Sequence, residues 1–149
     1  MRIVLILLLF CALSIPAFGA SPDEKIPEEQ LIEILEQRAN AAQPREQCFL
    51  YAELVHEMVE YSAHQYAAGE VQQAKGLLKR TQLFTRKLKT ALVGNAKKLK
   101  NAQILLRRTA FRLTDLLHSS NFDDRPVVEE TLSELNQAQN QAMLEVFRK

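Results

Sequence analysis

Between Val71 and Leu116, apolar or small side chains return every seven residues in two interleaved series. One runs Val71, Leu78, Thr85, Leu92, Leu99, Leu106 and Leu113; the other, three residues later, runs Ala74, Thr81, Leu88, Asn95, Ala102, Thr109 and Leu116. Seven residues are two turns of helix, so the pattern lays a seam along one side and requires a helix packed against it. A strand, whose side chains alternate with period two, cannot use such spacing. The phase passes through Gly94-Asn95, which otherwise reads as a turn. The spacing therefore predicts one long central helix, straight or kinked, from Glu70 to His118, roughly 70 Å in length. The alternative is two helices hinged at Val93 to Asn95.

The flanking segments carry helical patterns too. A first helix is expected from Pro27, a good first-turn residue, to just before Pro44, with Leu31, Ile34, Leu35, the stem of Arg38, Ala39 and Ala42 inward. A second runs from about Arg45 to Ala68 with Cys48, Ala52, Val55, Val59, Ser62 and Tyr66 inward, and Gly69 stops it. A last helix spans Pro126 to Phe147, with Asp124 as its N-cap and Val128, Leu132, Leu135, Gln139, Ala142 and Val146 inward. No segment alternates like a strand. The expected fold is all-α: antiparallel helical hairpins or a bundle of four to five helices built around the central segment. A single domain is expected over residues 27–149.

Charge is segregated along the chain. From Val71 to Thr114 there are 44 residues without an Asp or Glu, holding 12 Lys and Arg. Ser21 to Glu70 carries 11 acids against 3 bases, and Asp115 to Lys149 carries 7 against 3. Such blocks either neutralise each other within the fold or aim the basic one at an anionic partner. The acidic second and last helices are expected to fold back, antiparallel, on the two halves of the basic segment.

Residues 1–19 read as a secretory signal peptide. Arg2 precedes an apolar run from Ile3 to Ile15, Pro16 stops it, and Ala17 and Gly19 suit a cut after Gly19 or Ala20. The run is shorter than the about 20 apolar residues a bilayer span needs. Residues 20–26 are expected to form a flexible leader. The mature chain would be secreted or periplasmic, and no segment of it is apolar enough to span a membrane. Without Arg2 its 18 bases balance 18 acids. Export argues against nucleic acid as partner, and stacking aromatics in the basic block are sparse: Phe84 and Phe111, both placed near the seam. Cys11 leaves with the signal, so Cys48 stands alone, either packed in the core or paired with another chain.

The stretch Tyr66-Ala67-Ala68-Gly69-Glu70-Val71-Gln72-Gln73-Ala74 resembles the turn of a tetratricopeptide repeat, with Gly69, Val71, Ala74, Leu78 and Ser62 at matching positions. Met58, Tyr61 and Arg86 depart from that pattern, and no second copy follows. The resemblance implies an αα-hairpin and, at most, protein binding.

Catalytic signatures are missing from the sequence: no nucleophile elbow, phosphate loop or HExxH can be found. The expected role is non-enzymatic and cofactor-free, an interaction or scaffold protein of the cell envelope. Its partner would be a protein, a second copy of the chain or an anionic envelope component. The candidate residues for an anionic partner are Lys79, Arg86, Lys97, Lys98, Lys100, Arg107 and Arg108. An alternative reading is a metal- or stress-responsive binding protein. His56, Glu60 and His64 follow i, i+4, i+8 spacing and share a helix face, and imidazole and carboxylate are ordinary zinc or copper ligands.

Overall fold

Two prolines and one glycine set the first boundaries of the chain. Pro27 precedes α1 (Glu28–Ala41), and Pro44 opens α2 (Pro44–Ala67) after a two-residue link. Gly69 then closes α2 at φ +80°. The Gly69 N–H donates to the Tyr66 carbonyl and the Glu70 N–H to the Gln65 carbonyl, which satisfies the end of the helix and reverses the chain. Beyond that turn come α3 (Val71–Ala91), α4 (Leu99–Ser119) and α5 (Arg125–Phe147). The computed structural model describes residues 25–93 and 95–148; the expected signal peptide and most of the expected leader fall outside them. No helix among the described residues is long and apolar enough to cross a membrane.

The central segment is two helices rather than one. α3 ends at Ala91 and α4 begins at Leu99, with a non-helical link between them. The seven-residue phase survives because the link from Leu92 to Lys98 is itself seven residues long. Val, Gly and Asn are poor helix formers. An unbroken rod would hold α2 and α5 on separate halves, each with only a thin two-helix seam. Breaking it lets the two hairpins stack and share one core.

The helices form a ring in the order α2, α3, α5, α4, with α1 laid against α2. α2 and α3 are antiparallel across the Gly69 turn, and α4 and α5 across the link 120–124. Between hairpins the direction is parallel. Along the contact of α2 with α4, Glu46 meets Lys97 just before α4, His56 meets Thr109 and Glu60 meets Arg112. Across α3 and α5, Lys75 meets Asp124, Gln82 meets Thr131 and Lys89 meets Glu134. Thus α3 and α4 lie on the diagonal of the ring without touching, and the link from Leu92 to Lys98 crosses one end of the bundle.

Leu54, Met58, Leu78, Leu88, Leu106, Leu113 and Leu135 are fully buried at the centre. Each contributes about 1.5–3 kcal/mol by leaving water. The seam threonines Thr81, Thr85 and Thr109 are buried without cost to the core, because each hydroxyl donates to the carbonyl four residues earlier. Leu78, Leu92, Leu106 and Leu113 of the seam are all buried within one chain, so the seam does not call for a second copy.

Two expected placements shift. On α1, Ile32 is 2% exposed and Ile34 45%, so the helix is rotated from the expected stripe and buries Ile32 and Ala39. Asp124 stands at the N-cap of α5 but makes no capping bond. Its buried carboxylate instead pairs with Lys75 of α3 at 2.6 Å.

Candidate functional site

The acidic blocks neutralise one half of the basic block much more than the other. On α3, Lys75 pairs with Asp124, Arg80 with Glu36, and Arg86 and Lys89 both with Glu134. Four of its six cations are thereby matched, leaving Lys79 and Lys87. Among the six from Lys97 to Arg112, ion pairs with described residues are made by two: Lys97 with Glu46 and Arg112 with Glu60. Lys98, Lys100, Arg107 and Arg108 make none with described residues, and all four are exposed.

The pairing also departs from the expected one. Acids were to meet bases along the antiparallel seams within each hairpin. Instead the inter-helix pairs named above join α2 to α4, α3 to α5 and α1 to α3. Apolar seams run within each hairpin, and opposite charges line the contacts between hairpins.

Three of the cations without an ion pair to a described residue, Lys100, Arg107 and Arg108, lie on the outer face of α4. Helical geometry puts Ile104 and Phe111, seven residues apart, on one line, with Arg107 and Arg108 flanking it and Lys100 one turn before it. Ile104 is 50% exposed and Phe111 61%. Phe111 therefore faces away from the seam beside which it was placed, whereas Phe84 is buried. The Arg107 guanidinium lies 5.8 Å from the Phe111 ring centroid. The face alternates apolar bodies with mobile cations, which sequence periodicity concealed because the strong inner stripe of α4 dominates its pattern.

The seven residues expected to meet an anionic partner do not form one surface. Lys79 and Arg86 sit on α3, diagonal to α4, and Arg86 is 3.5 Å from Glu134. Lys97 and Lys98 belong to the link at the bundle end. Lys98 has φ +55°, a left-handed conformation rare for a side-chain-bearing residue, and its ammonium sits 4.7 Å over the Phe49 ring. Lys100, Arg107 and Arg108 are the three that share the outer face of α4.

The metal-ligand candidates point to three different neighbours. The His56 Nδ1 lies 2.9 Å from the Thr109 hydroxyl oxygen. Thr109 spends its own hydrogen on the Leu105 carbonyl, so the His56 Nδ1 is the donor. The Glu60 carboxylate accepts from Arg112, and His64 pairs with Glu28 of α1. No group of three His, Cys, Asp or Glu able to hold a metal occurs among the described residues.

Cys48 is fully buried, which pushes its thiol up to about 11. It belongs to the core and does not present a thiolate to another chain. Tyr66 has a buried hydroxyl without a hydrogen-bond partner, and burial together with the nearby Asp124 charge pushes it up to about 12. Neither group is tuned for proton transfer near neutral pH.

Comparison of the chain with protein-family models, with curated proteins and with solved structures finds no match in any of the three.

Proposed function

We propose that this chain is an exported, non-enzymatic protein of the cell envelope that docks at an anionic lipid surface through the outer face of α4. The observation that carries the reading is the exposure of Ile104 and Phe111 among Lys100, Arg107 and Arg108, none of which makes an ion pair with a described residue. A helix lying in a membrane interface needs this combination: apolar side chains to enter the acyl boundary and basic ones to meet the head groups. Each Lys or Arg near such a surface contributes about 1 kcal/mol. Two half-exposed apolar side chains add about 2 kcal/mol together. The sum, about 5 kcal/mol, describes weak, reversible attachment that salt disrupts. Export is supported by the charged start, apolar run and small residues of positions 1–19.

The five helices of the described residues lie between Glu28 and Phe147, so the chain without residues 1–19 keeps all of them. Its sedimentation with phosphatidylglycerol-containing vesicles, against pure phosphatidylcholine, tests the reading. Binding is expected to the anionic vesicles alone and to fall steeply between low and physiological salt. Lys100→Gln/Arg107→Gln/Arg108→Gln should abolish it, and Ile104→Ser/Phe111→Ser should weaken it while leaving the melting temperature within a few degrees. Equal binding to neutral vesicles, or full binding by the triple variant, would refute it. Loss of vesicle binding to an excess of polyglutamate without any lipid dependence would point to an acidic protein instead.

A further inference from the structure

We infer that the cavity where α1 ends and the α3–α4 link crosses α2 is a binding site for a small amphipathic anion, a carboxylate on an apolar tail. The cavity is a cleft open to solvent, with a volume of about 370 Å³, and is distinct from the outer face of α4. That volume lies in the range of small-molecule sites, and a few polar groups over an apolar floor is their usual make-up. Ala42, Phe49 and Leu50 supply the floor. Around the rim stand three cations, Arg38, Lys97 and Lys98, against a single acid, Glu46.

Glu46 is already engaged. Lys97 hydrogen-bonds its carboxylate at 3.0 Å, and that bond, reinforced by the charges of Lys97, Lys98 and Arg38, holds the carboxyl below the usual range. Arg38 and Lys98 are left with no ion pair to a described residue, facing one apolar floor. The rim is fixed rather than floppy. The Lys97 N–H donates to the Arg45 carbonyl at 2.7 Å, and the Arg45 Nε donates to the Asn95 carbonyl at 3.0 Å. These bonds tie the link to the first turn of α2 and set Lys98 beside Phe49. No acidic residue occupies the first turn of α4, and no side chain caps it, so its partial positive charge adds to the rim. The excess of positive charge selects an anion. The apolar floor selects one that carries a tail.

Octanoate is the probe, added to the chain lacking residues 1–19 and followed by calorimetry and by the NMR shifts of Ala42, Phe49 and Leu50. Octanol, octylammonium and acetate serve as controls. Octanoate should bind at least about tenfold tighter than any of them. Lys98→Gly removes the ammonium at a backbone angle that glycine accepts freely, so the fold is not at stake; it should weaken octanoate about tenfold. Ala41→Leu, at an exposed position on the cavity wall, should obstruct the site without changing its charge. Glu46→Gln should act in the opposite direction and tighten binding roughly threefold to tenfold, because it removes the one competing anion. Lys100→Gln/Arg107→Gln/Arg108→Gln should leave octanoate affinity unchanged, which separates this site from the membrane-facing surface. The assignment is overturned if octanol binds as well as octanoate, if the shifts fall elsewhere, or if Lys98→Gly and Glu46→Gln both leave the affinity as it was.

Discussion

Glu60 on α2 and Arg112 on α4 meet at 3.1 Å across two helices that run in the same direction. Parallel neighbours cannot be joined by a tight turn, so nothing in the local chain places these helices side by side. Their packing depends on side chains alone. Glu60–Arg112, Glu46–Lys97 and His56–Thr109 form a ladder along this contact, and Lys75–Asp124 and Lys89–Glu134 form a second along α3 and α5.

The side chains of Glu60 and Arg112 are 30% and 37% exposed, so solvent screens the pair. A double-mutant cycle with Glu60→Gln and Arg112→Gln, read by urea denaturation, should give a coupling of about 0.5 kcal/mol. The exchange Glu60→Arg/Arg112→Glu should recover most of the loss caused by either single reversal. A coupling near zero would mean that the apolar contacts alone align the hairpins.

Glu134 bridges Lys89 and Arg86 from a position only 22% exposed. The Lys89 hydrogen bond, with the charges of both cations, holds its carboxyl below 4.5. A carboxyl lowered in the folded state stabilises above its unfolded pKa and ceases to do so as pH falls through its folded value. Glu134→Gln should therefore cost about 1 kcal/mol at pH 7 and almost nothing at pH 3. Thermal melts of both proteins across that range decide it.

Cys48 should resist a thiol reagent at pH 8 in the native protein and react at once in denaturant. Its folded thiol ionises near 11, against 9.0 when unperturbed. A thiol whose pKa is raised by folding adds stability that is intact below pH 9 and falls as pH rises through 11. The melting temperature should thus drop more steeply above pH 9 in the wild type than in Cys48→Ala. Rapid labelling under native conditions would place the thiol at the surface.

At Gly69 a methyl group would meet nothing within 4 Å, yet φ is +80°. The cost of Gly69→Ala is therefore backbone strain without steric clash, about 1–2 kcal/mol. Gly76 lies inside α3 with equally open space, so Gly76→Ala should stabilise by about 1 kcal/mol. Opposite signs for the same substitution, measured by chemical denaturation, are the expected result.

The sequence was most legible where one local rule acted alone. Pro44 and Gly69 gave the ends of α2, and the inward positions from Cys48 to Tyr66 are those the structure buries or half-buries. The central break was concealed because a link of seven residues leaves a seven-residue count intact. Spacing records which positions are apolar, not whether the backbone between them is helical. Ile32 was missed because Ile34 fits the same apolar wheel, and only the packing of α1 against α2 chooses between them. The candidate site was half legible. Its charges stand out in the sequence, but which of them acids pair with depends largely on contacts 45 to 52 residues apart. Those separations follow from the parallel stacking of hairpins, which no local pattern encodes.

The crossing from Leu92 to Lys98 is the one covalent tie between the two hairpins. Each hairpin is closed by its own turn, and the ladder pairs described above, apart from Glu46–Lys97 with its lysine in the crossing, join one hairpin to the other. If two molecules exchanged hairpins, each of those pairs would form again between chains, atom for atom. The bonds that fold the crossing over the end of α2, Lys97 to Arg45, Arg45 to Asn95 and Lys97 to Glu46, would have to be released. Straightened, the crossing would continue the unbroken seven-residue phase as a single rod. A closed chain and an intertwined pair are thus written in the same register, and these few bonds at the bundle end are what tell them apart.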